Sequence, residues 1–303
     1  MMQNYQGKTA VITGAGSGFG LEVARLAAAR GMNLVLCDVQ ADALERAAAE
    51  FDSLPVLARR VDVSKADEME DLAAAVKLRF GAPHFIFNNA GVGSGGLIWE
   101  TTLADWDWVL GVNLIGVVHG IRLFTPMMLE AAAADPAFEA HIINTASMAG
   151  MLNAPNMGVY NVSKHAVVAM SETLHQDLAL VTEQVHCSVL CPYFVPTGIS
   201  QSQRNRPAAL PGAQPGDSPT KSQLISQAMS DKAVSSGKVS AVQVAAMVFD
   251  AMDRRQFYIF SHPQALAGVQ TRMEDVMLLR NPTSPFKDKP ELSAKLKAAL
   301  KAV

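Results

Sequence analysis

Tyr160 and Lys164 stand four residues apart in the segment YNVSK, inside a stretch whose apolar periodicity predicts a helix over 158–181. At that spacing the two side chains share one helix face. A free phenol titrates near ~10 and is a poor base at neutral pH, but a nearby ammonium favours the phenolate and should lower that value. Such a pair can pass a proton to or from a substrate oxygen. Ser147, at the end of INTAS, offers a hydroxyl that can hydrogen-bond and polarise the same oxygen. A second constellation lies near the start, in TGAGSGFG from Thr13 to Gly20. A strand that enters a glycine turn and leaves as a helix gathers backbone N–H groups at a helix N-terminus, ready for a pyrophosphate. The common GxGxxG spacing fails here, because Phe19 and Leu21 interrupt it. Thr-Gly-x-x-x-Gly-x-Gly fits, through Gly14, Gly18 and Gly20, with Ser17 and Phe19 in the turn. Asp38 closes LVLCD, 20 residues after Gly18, where a carboxylate can bind both hydroxyls of an adenosine ribose and repel a 2′-phosphate. No Lys or Arg in the turn or just after Asp38 offsets that repulsion, so the pattern favours NAD over NADP.

These residues need a scaffold, and the remaining pattern supplies one. Short β-branched runs at 9–13, 33–38, 55–61, 84–88, 141–145, 185–190 and 257–260 alternate with helical patterns at 18–30, 41–51, 65–80, 103–133 and 158–181. Several runs are apolar nearly throughout, as strands buried on both faces must be. The alternation predicts an α/β fold: a doubly wound, Rossmann-type, mostly parallel seven-stranded sheet with helices on both faces. The rhythm breaks after Val195. Residues 197–238, rich in Ser, Gln, Pro and Gly, read as a lid or a disordered loop, with a weak helix at 221–234. A helix at 240–254 and the last strand follow. We expect one dinucleotide-binding catalytic domain over 1–262. Residues 263–303 form a C-terminal extension, with a helix at 263–279 and a charged end, packing on the same domain or on a neighbouring subunit.

Taken in order, these motifs resemble the short-chain dehydrogenase/reductase family over roughly residues 6–200, and more loosely to about 260. Besides the glycine turn, Asp62 and Val63 match the position that holds the adenine ring, and Asn88-Asn89-Ala90-Gly91 matches the central-sheet motif. Asn113 in GVNLIG, Ser147, and the Tyr160/Lys164 pair complete the set. The resemblance implies Asn113, Ser147, Tyr160 and Lys164 as the catalytic group. Tyr160 and Lys164 would also contact the cofactor, Lys164 through the nicotinamide ribose, and Asn113 would fix a water of a proton relay near Lys164. It further implies Asn89, Ala90, Gly91, Pro192, Val195 and Thr197 as cofactor contacts, and a homodimer or homotetramer through the helices at 103–133 and 158–181. One departure stands out: in CPYFVPT, Tyr193 occupies the place of the family's glycine, which we read as altered substrate geometry. Met148, Met157, Tyr193 and Phe194, with Ser147, are the candidate substrate wall.

Composition narrows the alternatives. Half of the 303 residues are hydrophobic and 17% are charged, with a formal net charge of −3; this predicts a folded core and no footprint for nucleic acid or an anionic membrane. Three cysteines are too few for a disulfide framework and read as buried thiols in a reducing compartment. No secretory pattern is visible at the start, and no apolar run reaches the ~20 residues of a bilayer span, so the expected location is cytoplasmic. The histidines show no metal-ligand spacing, and no metal is expected. Trp99, Trp106 and Trp108 read as packing anchors, with Trp99 a candidate for the substrate entrance. Alone, Tyr160 would be an ordinary half-buried tyrosine and Ser147 a capping serine; behind a nucleotide turn, the set points to hydride transfer between NAD and a secondary alcohol or ketone, bulky and apolar or aromatic. The alternatives are a catalytically silent nucleotide-binding regulator, and a nucleotide-sugar epimerase or dehydratase, for which the tail is short.

Overall fold

The computed structural model of the chain describes residues 4–210 and 218–301. Seven strands form one sheet: β1 (Thr9–Thr13), β2 (Asn33–Asp38), β3 (Val56–Arg60), β4 (Phe85–Asn88), β5 (Ala140–Thr145), β6 (Val185–Cys191) and β7 (Tyr258–Phe260). Their order is β3-β2-β1-β4-β5-β6-β7. Every pairing is parallel, so the sheet is wholly rather than mostly parallel. The helices are α1 (Gly18–Ala29), α2 (Ala41–Ala48), α3 (Ala66–Phe80), α4 (Leu103–Leu110), α5 (Gly116–Ala134), α6 (Gly158–Val181), α7 (Lys221–Ser235), α8 (Ala241–Arg254), α9 (Leu266–Met277) and α10 (Pro290–Lys301).

The period-2 geometry of a strand explains why the runs are apolar throughout. Ile12, Leu34 and Leu36 face a core formed with Val23 and Ala27 of α1 and Val248 and Phe249 of α8. Their neighbours Val11, Val35 and Cys37 face the opposite core, with Met69 and Leu72 of α3, Phe124 and Met128 of α5, and Leu174 of α6. Both faces are therefore covered, as parallel sheets require. The chain winds from β1 outward to β3, then returns to β4 on the other side of β1. This reversal opens a crevice at the carboxyl ends of β1 and β4, the place where doubly wound sheets bind ligands.

Four expectations are corrected in whole or in part. The stretch 103–133 is not one regular helix: a π-helical turn at Gly111–Ile115 separates α4 from α5. Among the described residues, Leu103–Ala134 is long and apolar enough to cross a bilayer by composition, contrary to the expectation that no run qualifies; here Val117, Phe124 and Met128 of this stretch are buried in the protein core. The segment 197–238 is more regular than a loop: the weak helix expected at 221–234 is α7, whose start is fixed by a capping box of Thr220 and Gln223, and a 3-10 run covers Gly198–Asn205; its residues 211–217 lie outside the described residues. In the extension, the helix predicted over 263–279 ends at Met277, and the charged end forms α10, which the charge pattern did not suggest.

Candidate active site

The glycine turn is built by backbone demands. Gly14 and Gly18 have φ of +67° and +56°, the left-handed region that L side chains avoid. A Cβ on Gly20 would lie 2.1 Å from the Gly14 carbonyl oxygen, so only glycine lets α1 start this close to β1. Ser17 takes the N-cap place without a side-chain cap, and the first turn of α1 holds no acidic residue. Its N–H groups thus face no competing carboxylate of their own helix, and the donor set fits a pyrophosphate. Asp38 ends β2 beside the turn. Its Oδ2 accepts from Gly16 N at 2.9 Å and its Oδ1 from Gln40 N at 3.0 Å, which fixes the carboxylate at the rim. Arg60, its register partner on β3, turns instead toward Glu68, 3.9 Å away.

Thr13 ties this turn to the next one. Its Oγ1 accepts from Asn89 N at 2.8 Å and Ala90 N at 3.0 Å, while Asn89 Nδ2 donates to Thr13 O at 2.9 Å. Asn89 is therefore the strut between β1 and β4 at the switch point. Asp62 is held by Ser64, whose N and Oγ both donate to its Oδ1, at 3.0 and 2.7 Å.

The catalytic candidates converge at the ends of β5 and α6. Ser147 Oγ accepts from Ala149 N at 3.1 Å and reaches Pro192 O at 3.4 Å. Tyr160 lines the same cleft as Ser147. Lys164 is buried, with Nζ 5.7 Å from the Tyr160 ring centre, and donates to Thr145 O at 2.8 Å. Asn113 is fully buried in the π-helical turn. Its Oδ1 accepts from Val92 N at 2.8 Å, and its Nδ2 donates to Val92 O at 3.0 Å and to Ser163 Oγ at 3.1 Å. Asn113 Oδ1 and Lys164 Nζ lie 3.4 and 3.6 Å from the point a Gly91 Cβ would occupy, so glycine keeps a gap open between them.

The electrostatics correct one expectation. Burial raises the Tyr160 phenol above its ordinary value, and the hydrogen bond with Ser147 only partly offsets this. The lowering expected from Lys164 is absent because Nζ is turned to the Thr145 carbonyl. Burial also lowers Lys164, from 10.5 to about 8. That shift has a testable sign. The folded protein gives up this proton near pH 8 while the unfolded chain keeps it to about 10.5, so the unfolded state holds more protons in between and stability rises with pH. Wild type minus Lys164→Met, measured by urea unfolding, should therefore gain ~3 kcal/mol across that window. The buried thiols pull the other way above pH 9, with Cys187 and Cys191 pushed up to about 12, so the difference curve rather than either curve alone is the readout. A flat difference would sink the assignment.

One cleft of about 2140 Å³ joins these pieces, larger than the ~300–1,000 Å³ of a single-ligand site. It is lined by the glycine turn, Asp38, Asp62 and Val63 at one end, and by Ser147, Met148, Met157, Tyr160, Tyr193 and Phe194 at the other, with Lys164, Gly91 and Thr197 between. Of the sequence candidates, Gly20 and Asn113 stand behind this surface rather than on it. The Tyr193 ring lies 4.3 Å from that of Phe194 and 5.8 Å from that of His262. Trp99 is exposed and lines no part of the cleft; Trp108 lines it instead, beneath a buried Arg206–Asp105 pair at 2.6 Å. Sequence reasoning missed that pair, Ser163 under Asn113, and the cleft-facing side of α9.

Comparison with known proteins agrees with this geometry. The family model for short chain dehydrogenase matches residues 8–208. A crystal structure of a short chain dehydrogenase/reductase from Burkholderia phymatum in complex with NAD is 48% identical, with a TM-score of 0.88 over 94% of this chain and 99% of that one. A CLA biosynthesis dehydrogenase/reductase from Lactiplantibacillus plantarum is 30% identical over 91% of this chain and 95% of its own length. A C alpha-dehydrogenase from a Sphingobium strain is 34% identical over 68% of this chain and 67% of its own.

Proposed function

The chain belongs to the short-chain dehydrogenase/reductase family, and from that premise we propose that it is an NAD-dependent enzyme acting on a secondary alcohol or ketone with a bulky apolar or aromatic body. The observation that carries this reading is the convergence of Ser147, Tyr160 and Lys164 on one wall of a cleft whose far end holds the glycine turn and the Asp38 carboxylate. When bound, the nicotinamide supplies or takes the hydride. The turn's N–H groups hold the pyrophosphate and Asp38 the adenosine ribose. Ser147 Oγ donates to the substrate oxygen and polarises it. Tyr160 Oη gives that oxygen its proton during reduction and takes it during oxidation. Lys164 Nζ holds the nicotinamide ribose hydroxyls. Asn113 holds the far side of the gap beside Gly91, where a water can pass the proton outward. Met148, Met157, Tyr193 and Phe194 form an apolar wall that excludes water and shapes the substrate.

Initial rates on a panel of bulky secondary alcohols with NAD, and of ketones with NADH, test the reading; NADH binding without turnover on any member would favour a silent nucleotide-binding protein. The cofactor choice has its own test. Wild type should bind NADH in preference to NADPH, and Asp38→Asn should reduce that preference about tenfold or more, since it removes the repelling charge and a charged hydrogen bond. A preference unchanged in the variant would move the ribose site elsewhere. Self-association as a dimer or tetramer, with the exposed Leu103 and Ile115 as part of the interface, is the accompanying expectation for light scattering.

A further inference from the structure

Helix α9 passes the cleft with Gly268, Thr271, Arg272, Asp275 and Val276 on its inner side, the three-and-four spacing of a single helix face. Its approach is close: a Cβ on Gly268 would meet Leu152 Cδ2 at 3.4 Å. Leu152 N in turn donates to Met148 O at 2.8 Å, directly after Ser147. The contact that joins the segment after Ser147 to α9 is therefore apolar, and Arg272 follows Gly268 by one helical turn, about 6 Å along the axis.

Arg272 is half-buried, and it is the one arginine among the described residues with no hydrogen bond, ion pair or ring contact. The acids that follow it on α9 are already engaged. Asp275 is buried and accepts from Thr283 N at 2.8 Å, Thr283 Oγ1 at 3.2 Å and Arg280 Nε at 3.0 Å. Glu274 takes Gln270 at 2.9 Å and Arg280 at 3.6 Å. A partly desolvated guanidinium with no counter-charge is costly to keep facing a cleft unless an anion completes it, and its planar fork matches a carboxylate.

We propose that Arg272 binds a carboxylate carried by the substrate, at the far end of an apolar body from the alcohol or ketone carbon. This rests on the reading of the cleft as an alcohol–ketone site and narrows its substrate class to hydroxy or oxo acids with an apolar spacer.

Calorimetric titration of the NADH-loaded protein with decanoate and with decanamide isolates the charge. Wild type should bind decanoate about tenfold or more tighter than decanamide. Arg272→Met should erase that preference, and Arg272→Lys should retain part of it. NADH-induced thermal stabilisation of each variant reports that it is folded. Equal affinity for the two ligands in wild type, no decanoate binding, or a preference undiminished in Arg272→Met would each overturn the assignment. Turnover by the wild type of medium-chain hydroxy acids, alongside neutral secondary alcohols, reports on the underlying reading separately: turnover without a carboxylate preference sinks the anchor alone, while a decanoate preference with neither class turned over sinks the oxidoreductase role alone.

Discussion

Tyr160→Phe should lower kcat about 10²–10⁴-fold while NADH still stabilises the fold, because the change deletes the proton-carrying oxygen and keeps the ring. The two readouts separate chemistry from binding. Thermal shift with NADH reports the dinucleotide end of the cleft, which Tyr160 does not build, and steady-state kinetics report the other end. The direction of the Tyr160 shift adds a pH signature. Burial raises the phenol in the free protein, so in the oxidative direction, which needs the phenolate, kcat/KM should rise with pH. The phenylalanine variant should lack that rise. A variant retaining near wild-type kcat would show that another group moves the proton, and the arrangement of Ser147, Tyr160 and Lys164 would then lose its assigned role.

Gly20→Ala should abolish NADH-induced stabilisation and destabilise the chain by about 3 kcal/mol, the upper end of overpacking costs. The added methyl would sit 2.1 Å from the Gly14 carbonyl oxygen and 2.7 Å from its carbon. Both are backbone atoms, so relief requires α1 to move off β1 or the turn to open. Either movement displaces the N–H groups that face the pyrophosphate, and affinity should fall about 100-fold or more, close to ~2.7 kcal/mol. Denaturant unfolding and NADH titration of the same sample check the two halves. Wild-type NADH affinity in a folded Gly20→Ala would mean that the dinucleotide is held elsewhere.

The parts of the fold most legible in the sequence were those under the strictest physical constraint. Thr9–Thr13 and Asn33–Asp38 lie inside the sheet with a core on each face, so both strands read as nearly unbroken apolar runs and their ends coincide with those seen. Gly158–Val181 was equally clear, since a long helix with one buried stripe repeats its signal many times. The positions that the structure brings to one cleft were legible because a strand–turn–helix this tight requires glycine at fixed backbone angles, and the four-residue spacing puts Tyr160 and Lys164 on one helix face.

What escaped was whatever depends on distant partners. A π-helical turn at Gly111–Ile115 changes no composition. The expected influence of Lys164 on Tyr160 failed because Thr145 O, 2.8 Å from Nζ, competes for the ammonium, and nothing in YNVSK encodes that carbonyl. The preference for Trp99 over Trp108 at the cleft failed, since the difference lies in Arg206, about a hundred residues downstream, which covers Trp108 at 5.1 Å. Arg272 was invisible for the same reason. Its meaning comes from the partners taken by Asp275 and Glu274 and from the close approach of Gly268 to Leu152.

The central claim, hydride transfer at the Ser147–Tyr160–Lys164 wall, is tested most directly by isotope tracing. Incubating the protein with NAD and secondary alcohols deuterated at the carbinol carbon, then measuring the mass of the nicotinamide product, should find one deuterium in NADH from wild type and almost none from Tyr160→Phe over the same time. Nicotinamide recovered without deuterium from wild type, across alcohols that NADH-loaded protein demonstrably binds, would contradict the account.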